Sequence, residues 1–154
     1  MKTDYNDIDR KIKLVIEDVP HFTANLANIT AVIKMTMKDI NWVGFYLVDD
    51  DTLILGPFQG KPACTEIPNG RGVCGTALWD ECSQLVGDVY NFPGHIACDP
   101  DSRSEVAVPI FKDGKVVGVL DVDSPKLRRF TKEDLVGLEM IVRTIEKYVF
   151  EEDA

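Results

Sequence analysis

The stretch EVAVPIFKDGKVVGVLDVDSP, residues 105–125, reads as a β-hairpin, two apolar arms joined by a Lys112-Asp113-Gly114 turn. Along the second arm Val119, Asp121 and Asp123 share one face and Leu120 and Val122 the other. A second period-two stretch begins at Asn41, where Val43, Phe45 and Leu47 point one way and Trp42, Gly44 and Tyr46 the other. Asp49-Asp50-Asp51 supplies its turn, and TLILGPFQG returns as the other arm. Beyond Pro125, Thr131 and Asp134 give a T-x-x-D capping signal that opens a helix with Leu135, Leu138, Ile141, Val142, Ile145 and Val149 inward. At the other end Ile8, Ile12, Val15 and Ile16 recur at helical spacing up to Pro20, and Phe22, Leu26, Ile29, Ile33 and Met37 repeat the pattern. With only Pro20 between them, these two stretches are expected to form a continuous N-terminal element. Helices at both ends of antiparallel hairpins predict an α+β fold: a central antiparallel sheet with the N- and C-terminal helices on one face.

The length of 154 residues and the 45% hydrophobic content fit one globular domain over 1–154 and exclude disordered, collagenous and solenoid chains. No run approaches the roughly 18 apolar residues of a membrane span. The start, MKTDYNDIDRK, is polar and mixed in charge, so neither export nor a membrane is expected and the location expected is cytoplasmic. A net charge of -9 repels phosphate backbones, and the one basic cluster, Lys126, Arg128 and Arg129, is short; nucleic acid is not an expected partner.

Chemistry concentrates between Gly60 and Arg103, where six glycines, four prolines and all four cysteines surround one helix-like piece near 72–81. A long irregular segment of this kind usually carries function. Cys64, Cys74, Cys82 and Cys98 contain no C-x-x-C pair, which argues against a zinc ribbon, although His95 and Cys98 leave a zinc reading on Cys64, Cys74, His95 and Cys98. Cys74 is expected in the first turn of its helix, where the dipole favours thiolate. Cys98 ends a PGHIAC loop, with His95 placed to assist or to pack, and Cys82 reads as structural. Asp121 and Asp123, two residues apart on one strand face, stand roughly 6 to 7 Å from each other. Glu105, turned inward, would complete a trio of carboxylates suited to an amino-acid ammonium. Trp42 and Tyr46, flanking Gly44, suggest an aromatic cup, or plain core.

The motifs NWVGFYL, LGPFQGKPAC, IP-x-GRGVCGTA, FPGHIACD, SE-x-x-VPIFKDGK and VGVLDVDSP, in this order over about residues 24–142, closely resemble the free methionine-(R)-sulfoxide reductases, which are single GAF domains. The resemblance implies a GAF-like fold with active-site loops over the sheet face opposite the helices. It implies reduction of the free amino acid's sulfoxide, with recycling by thioredoxin, no bound cofactor or metal, and room for a homodimer. Cys98 matches the attacking cysteine, Cys64 its disulfide partner and Cys74 the third, alternative cysteine. Glu105, Asp121 and Asp123 match the substrate-holding carboxylates, and Trp42 and Tyr46 the aromatic wall. Cys82 has no counterpart. The competing reading is a GAF sensor of a small amine with redox-sensitive cysteines.

Overall fold

The computed structural model describes residues 2–96 and 98–151; Met1, Ala97 and residues 152–154, which the single-domain expectation includes, lie outside the described residues. Six strands, β1 (Trp42–Asp49), β2 (Thr52–Gln59), β3 (Glu66–Pro68), β4 (Gln84–Val86), β5 (Ser104–Lys112) and β6 (Lys115–Ser124), form one sheet in the order β3-β2-β1-β6-β5-β4. Every pairing is antiparallel. Both expected hairpins are present. The β5/β6 turn places Asp113 and Gly114 at φ 51° and 78°, the left-handed pair that two-residue hairpin loops require. The three-residue strands β3 and β4 lie at the edges and were not expected from the sequence.

Period-two alternation divides the sheet's side chains between two cores. Val43, Phe45, Val106, Val108, Ile110, Leu120 and Val122 face α1 (Tyr5–Ile16), α2 (Phe22–Thr36) and α4 (Lys132–Ile145). Those helices contribute Ile12, Leu26, Ile29, Ile33, Leu138 and Ile141, all fully buried. Burial of each such side chain favours folding by about 1.5–3 kcal/mol. Trp42, Tyr46, Leu53, Ala107 and Val119 face the other way, beneath α3 (Gly72–Asp80) and the irregular segment.

The N-terminal helices are separate rather than continuous. Asp18 adopts a left-handed φ of 62°, and Pro20 brings no amide donor to what would be helix interior, so the chain turns and packs α2 against α1. The capping box is present at α4: the Thr131 hydroxyl accepts from the Asp134 amide, and the Asp134 carboxylate accepts from the Thr131 amide. Past Ile145 the helix widens into a π-type turn over Glu146–Phe150. There the buried Glu146 carboxylate accepts the amide of Phe111 at 2.7 Å, at the point where the β5/β6 register slips.

Candidate active site

The registers of β1, β6 and β5 lay the site out in rows. Trp42 stands opposite Asp123, and Asp123 opposite Glu105; in the next row Asp121 has Gly44 on one side and Ala107 on the other. Asp121 thus lies between the two smallest kinds of residue. The three carboxyls, each buried, floor a cavity that is also lined by Trp42, Tyr46, Cys74, His95 and Cys98. The expected trio is therefore assembled, with Glu105 turned inward.

The aromatic pair forms a wall rather than a cup. The Trp42 ring folds over Gly44, where a Cβ would overlap it and Phe58. Phe58, Trp42 and Tyr46 stack in series, with centroids 5.3 and 6.0 Å apart and planes within 17° and 25° of parallel. The polar ends of this wall hold the loop that carries Cys64: Trp42 Nε1 donates to the Lys61 carbonyl at 3.1 Å, and the Tyr46 hydroxyl donates to the Cys64 carbonyl at 2.9 Å.

Cys64 and Cys98 are joined by a disulfide, with Cα atoms 5.5 Å apart. The Cys98 loop is braced from several sides. Asn41 Nδ2 donates to Asp99 Oδ2 and to Ser102 Oγ, each at 3.0 Å, and Lys61 pairs with Asp101 at 2.7 Å across to the Cys64 loop. The Tyr90 hydroxyl donates to the Pro100 carbonyl at 2.9 Å. Asn41, Asp99 and Ser102 were not singled out in the sequence. Their one local signal is the Asx turn in which Asp99 Oδ1 accepts the Asp101 amide.

Cys74 corrects the thiolate expectation. It lies in the first turn of α3, but its sulfur is buried 3.7 Å from Glu105 Oε2. Burial pushes the thiol well up, and the Asp121 and Glu105 carboxylates push it further, outweighing the helix dipole. Cys82 is free and exposed beyond the end of α3, not packed as a structural residue, and lies outside the site. The disulfide takes two sulfurs away from the zinc reading, and His95 lines the cavity with its ring edge-on to Tyr90 at 5.7 Å.

The carboxyls are electrostatically strained. Burial raises Asp121 far above the ordinary carboxylate range, and Asp123 and Glu105 reinforce the effect. Asp123 moves the same way, through burial first and then Glu105. One oxygen of each aspartate, Oδ1, finds no hydrogen-bond partner among the described residues. Buried acceptors of this kind suit a cationic donor.

A GAF domain model matches residues 14–149. The chain is 49% identical to the free methionine-R-sulfoxide reductase of Escherichia coli over 93% of its own length and 87% of that protein's. The chain belongs to the free methionine-R-sulfoxide reductase family of GAF domains. Among solved structures, this family member is similar to fRMsr of Staphylococcus aureus in its reduced form, with a TM-score of 0.93, 51% identity and 96% of both chains covered. It is also similar to the free methionine-R-sulfoxide reductase of Neisseria meningitidis in complex with its substrate, with a TM-score of 0.92 and 45% identity over 97% of this chain and 93% of that one.

Proposed function

We propose that this chain reduces free methionine-(R)-sulfoxide to methionine. The observation that carries the reading is the Cys64–Cys98 bond beside a cavity floored by Glu105, Asp121 and Asp123 and walled by Trp42 and Tyr46. The activity named for the Escherichia coli and Neisseria meningitidis relatives supports it. In the reduced chain the Cys98 thiolate attacks the sulfoxide sulfur, and Asp121 or Asp123, whose hold on a proton burial strengthens, protonates the oxygen. The oxygen passes to Cys98 as a sulfenic acid and methionine leaves. The Cys64 thiol then condenses with that acid, releasing water and closing the disulfide. Thioredoxin, as external dithiol, reopens it by exchange. Cys64 is assigned this resolving role, with Cys74 as the alternative thiol.

The carboxyls also set the substrate class. An ammonium satisfies the unpaired Oδ1 atoms of Asp121 and Asp123, whereas an acylated nitrogen has lost its charge and brings bulk against them. The stacked wall takes the methyl end. The proposal carries with it a cytoplasmic location, where thioredoxin keeps thiols reduced, and no bound cofactor, since the thiols supply both electrons. A homodimer is compatible with it. The test measures turnover of free methionine-(R)-sulfoxide, its S epimer and its N-acetyl form with a thioredoxin recycling system. Reduction confined to the free R compound is expected. Equal reduction of the acetylated form refutes the ammonium clamp, and no reduction of any form refutes the reductase reading in favour of the sensor.

A further inference from the structure

The mechanism calls on one thiol of the pocket only as an alternative. Cys74 is a free thiol, fully within the core, and takes no part in the disulfide. Its sulfur does not stand alone: Cys74, Glu105 and Asp121 each present a ligand atom, all within 4.8 Å of one another, and the Sγ–Oε2 distance is 3.7 Å. Two ligands of a tetrahedral zinc ion, with Zn–S about 2.3 Å and Zn–O about 2.0–2.2 Å, lie about 3.5 Å apart. The Cys74–Glu105 edge is already near that length, and the remaining edges need to contract by little more than about 1 Å.

A second observation points to a cation at the same place. Asp121 is only 5% exposed, lines the cavity, and holds Oδ1 without a partner among the described residues. An ammonium answers that oxygen but cannot engage the Cys74 sulfur, whose S–H donates to Glu105 Oε2 at 3.7 Å, whereas a metal ion engages both. One thiolate with two carboxylates is a donor set for zinc-like ions, whereas magnesium and calcium take oxygen ligands.

We propose that Cys74, Glu105 and Asp121 bind one zinc-type divalent ion on the floor of the pocket. The metal–sulfur bond forms as the S–H bond of Cys74 breaks; that proton, and any on the two carboxyls, passes to solvent, and no electrons move. The ion stands where the ammonium would be held, so metal and substrate exclude each other. That last clause rests on the proposed function; the binding site does not.

The test uses the full chain with the Cys64–Cys98 disulfide intact and Cys82→Ser in place, so that Cys74 is the one thiol left. Titration with cobalt(II) is expected to saturate at one ion per chain and to produce a thiolate-to-cobalt charge-transfer band in the near ultraviolet, which zinc(II) then abolishes by displacement. Asp121→Asn is expected to weaken zinc binding by at least the roughly tenfold that even outer-shell changes cause. Cobalt uptake without the band, or no saturable uptake by the folded protein, overturns the site. A preparation that reduces methionine sulfoxide but takes up no cobalt refutes the metal site alone. One that shows the cobalt–thiolate band on titration but, assayed metal-free with thioredoxin, reduces no methionine sulfoxide refutes the reductase reading alone.

Discussion

Asp121→Asn separates what the carboxyl does for the fold from what it does for the substrate, because the two effects have opposite signs. Asn keeps the volume and removes the charge. The ligand atoms of Asp121 and Glu105 lie within 4.8 Å of each other, and at an effective dielectric constant of about 20 two unit charges at that distance repel by about 3.5 kcal/mol. Protonation of the cluster relieves part of this, and about 1–2 kcal/mol of stabilisation is expected from the substitution near pH 8. The pH dependence follows from the upward shift of Asp121, produced by burial first and by Asp123 and Glu105 second. A carboxyl whose folded pKa is raised contributes its full stability below the unfolded value of about 3.9 and loses it as pH rises towards the folded one. The advantage of Asn over Asp is therefore absent near pH 3, grows with pH and then levels off. Activity moves the other way. Loss of one charge-assisted partner for the ammonium costs about 2 kcal/mol, or about 30-fold in kcat/KM for free methionine-(R)-sulfoxide. Urea unfolding over a pH series, together with steady-state kinetics on the same preparations, reads both. A variant less stable than the parent at pH 8, or one with unchanged kcat/KM, would refute the reasoning.

Cys98→Ser should bind substrate yet reduce none, measured by single-turnover release of methionine; release near the parent rate would move the nucleophile to Cys74. Cys64→Ser should release about one methionine per chain and then stop with thioredoxin, since no disulfide is left to exchange. Continued turnover without a Cys64–Cys98 linkage by mass spectrometry would assign resolution to Cys74. Gly44→Ala drives a methyl group into the Trp42 ring and Phe58. It should destabilise the fold by about 1–3 kcal/mol and raise KM for the sulfoxide, and an unaltered urea midpoint would show that the ring is not held there.

Much of the site was legible because strand alternation is a strong constraint. Once residues 119–123 are a strand, Asp121 and Asp123 must share a face; the hairpin turn at Asp113-Gly114 by itself would set Glu105 opposite Val122, and the one-residue register slip at Ile110/Phe111, which the sequence did not show, brings it opposite Asp123. The capping pair Thr131 and Asp134 fixed the start of α4 from local chemistry alone. What escaped depends on contacts between distant segments. The state of Cys74 is decided by the carboxyls of β5 and β6 beneath it, not by its own helix. The brace from Asn41 to Asp99 and Ser102 joins residues 58 and 61 positions apart. The strands β3 and β4 are too short to show a period, and exist because longer neighbours offer an edge to pair with. Pro20 marked the end of the first N-terminal helix, but the reversal of the chain through a left-handed Asp18 did not show in the sequence pattern.

The pairing of β1 with β6 at the centre of the sheet joins positions about eighty residues apart in sequence, Trp42 with Asp123 at one end. During synthesis the β1/β2 hairpin leaves the ribosome long before its central partner does. In that interval Val43 and Phe45 lack half of their cover, and the edge that β6 will occupy stays open to any other strand. Non-local pairing of this kind is slow to form, and here it cannot begin until some four-fifths of the chain has been made. Yield in cells should therefore depend on how well that exposed hairpin is shielded, with slower elongation or more available chaperone favouring soluble product. The aromatic wall belongs to the early hairpin, whereas the carboxyl floor needs β5 and β6 in place and is completed as one of the last events in the making of the molecule.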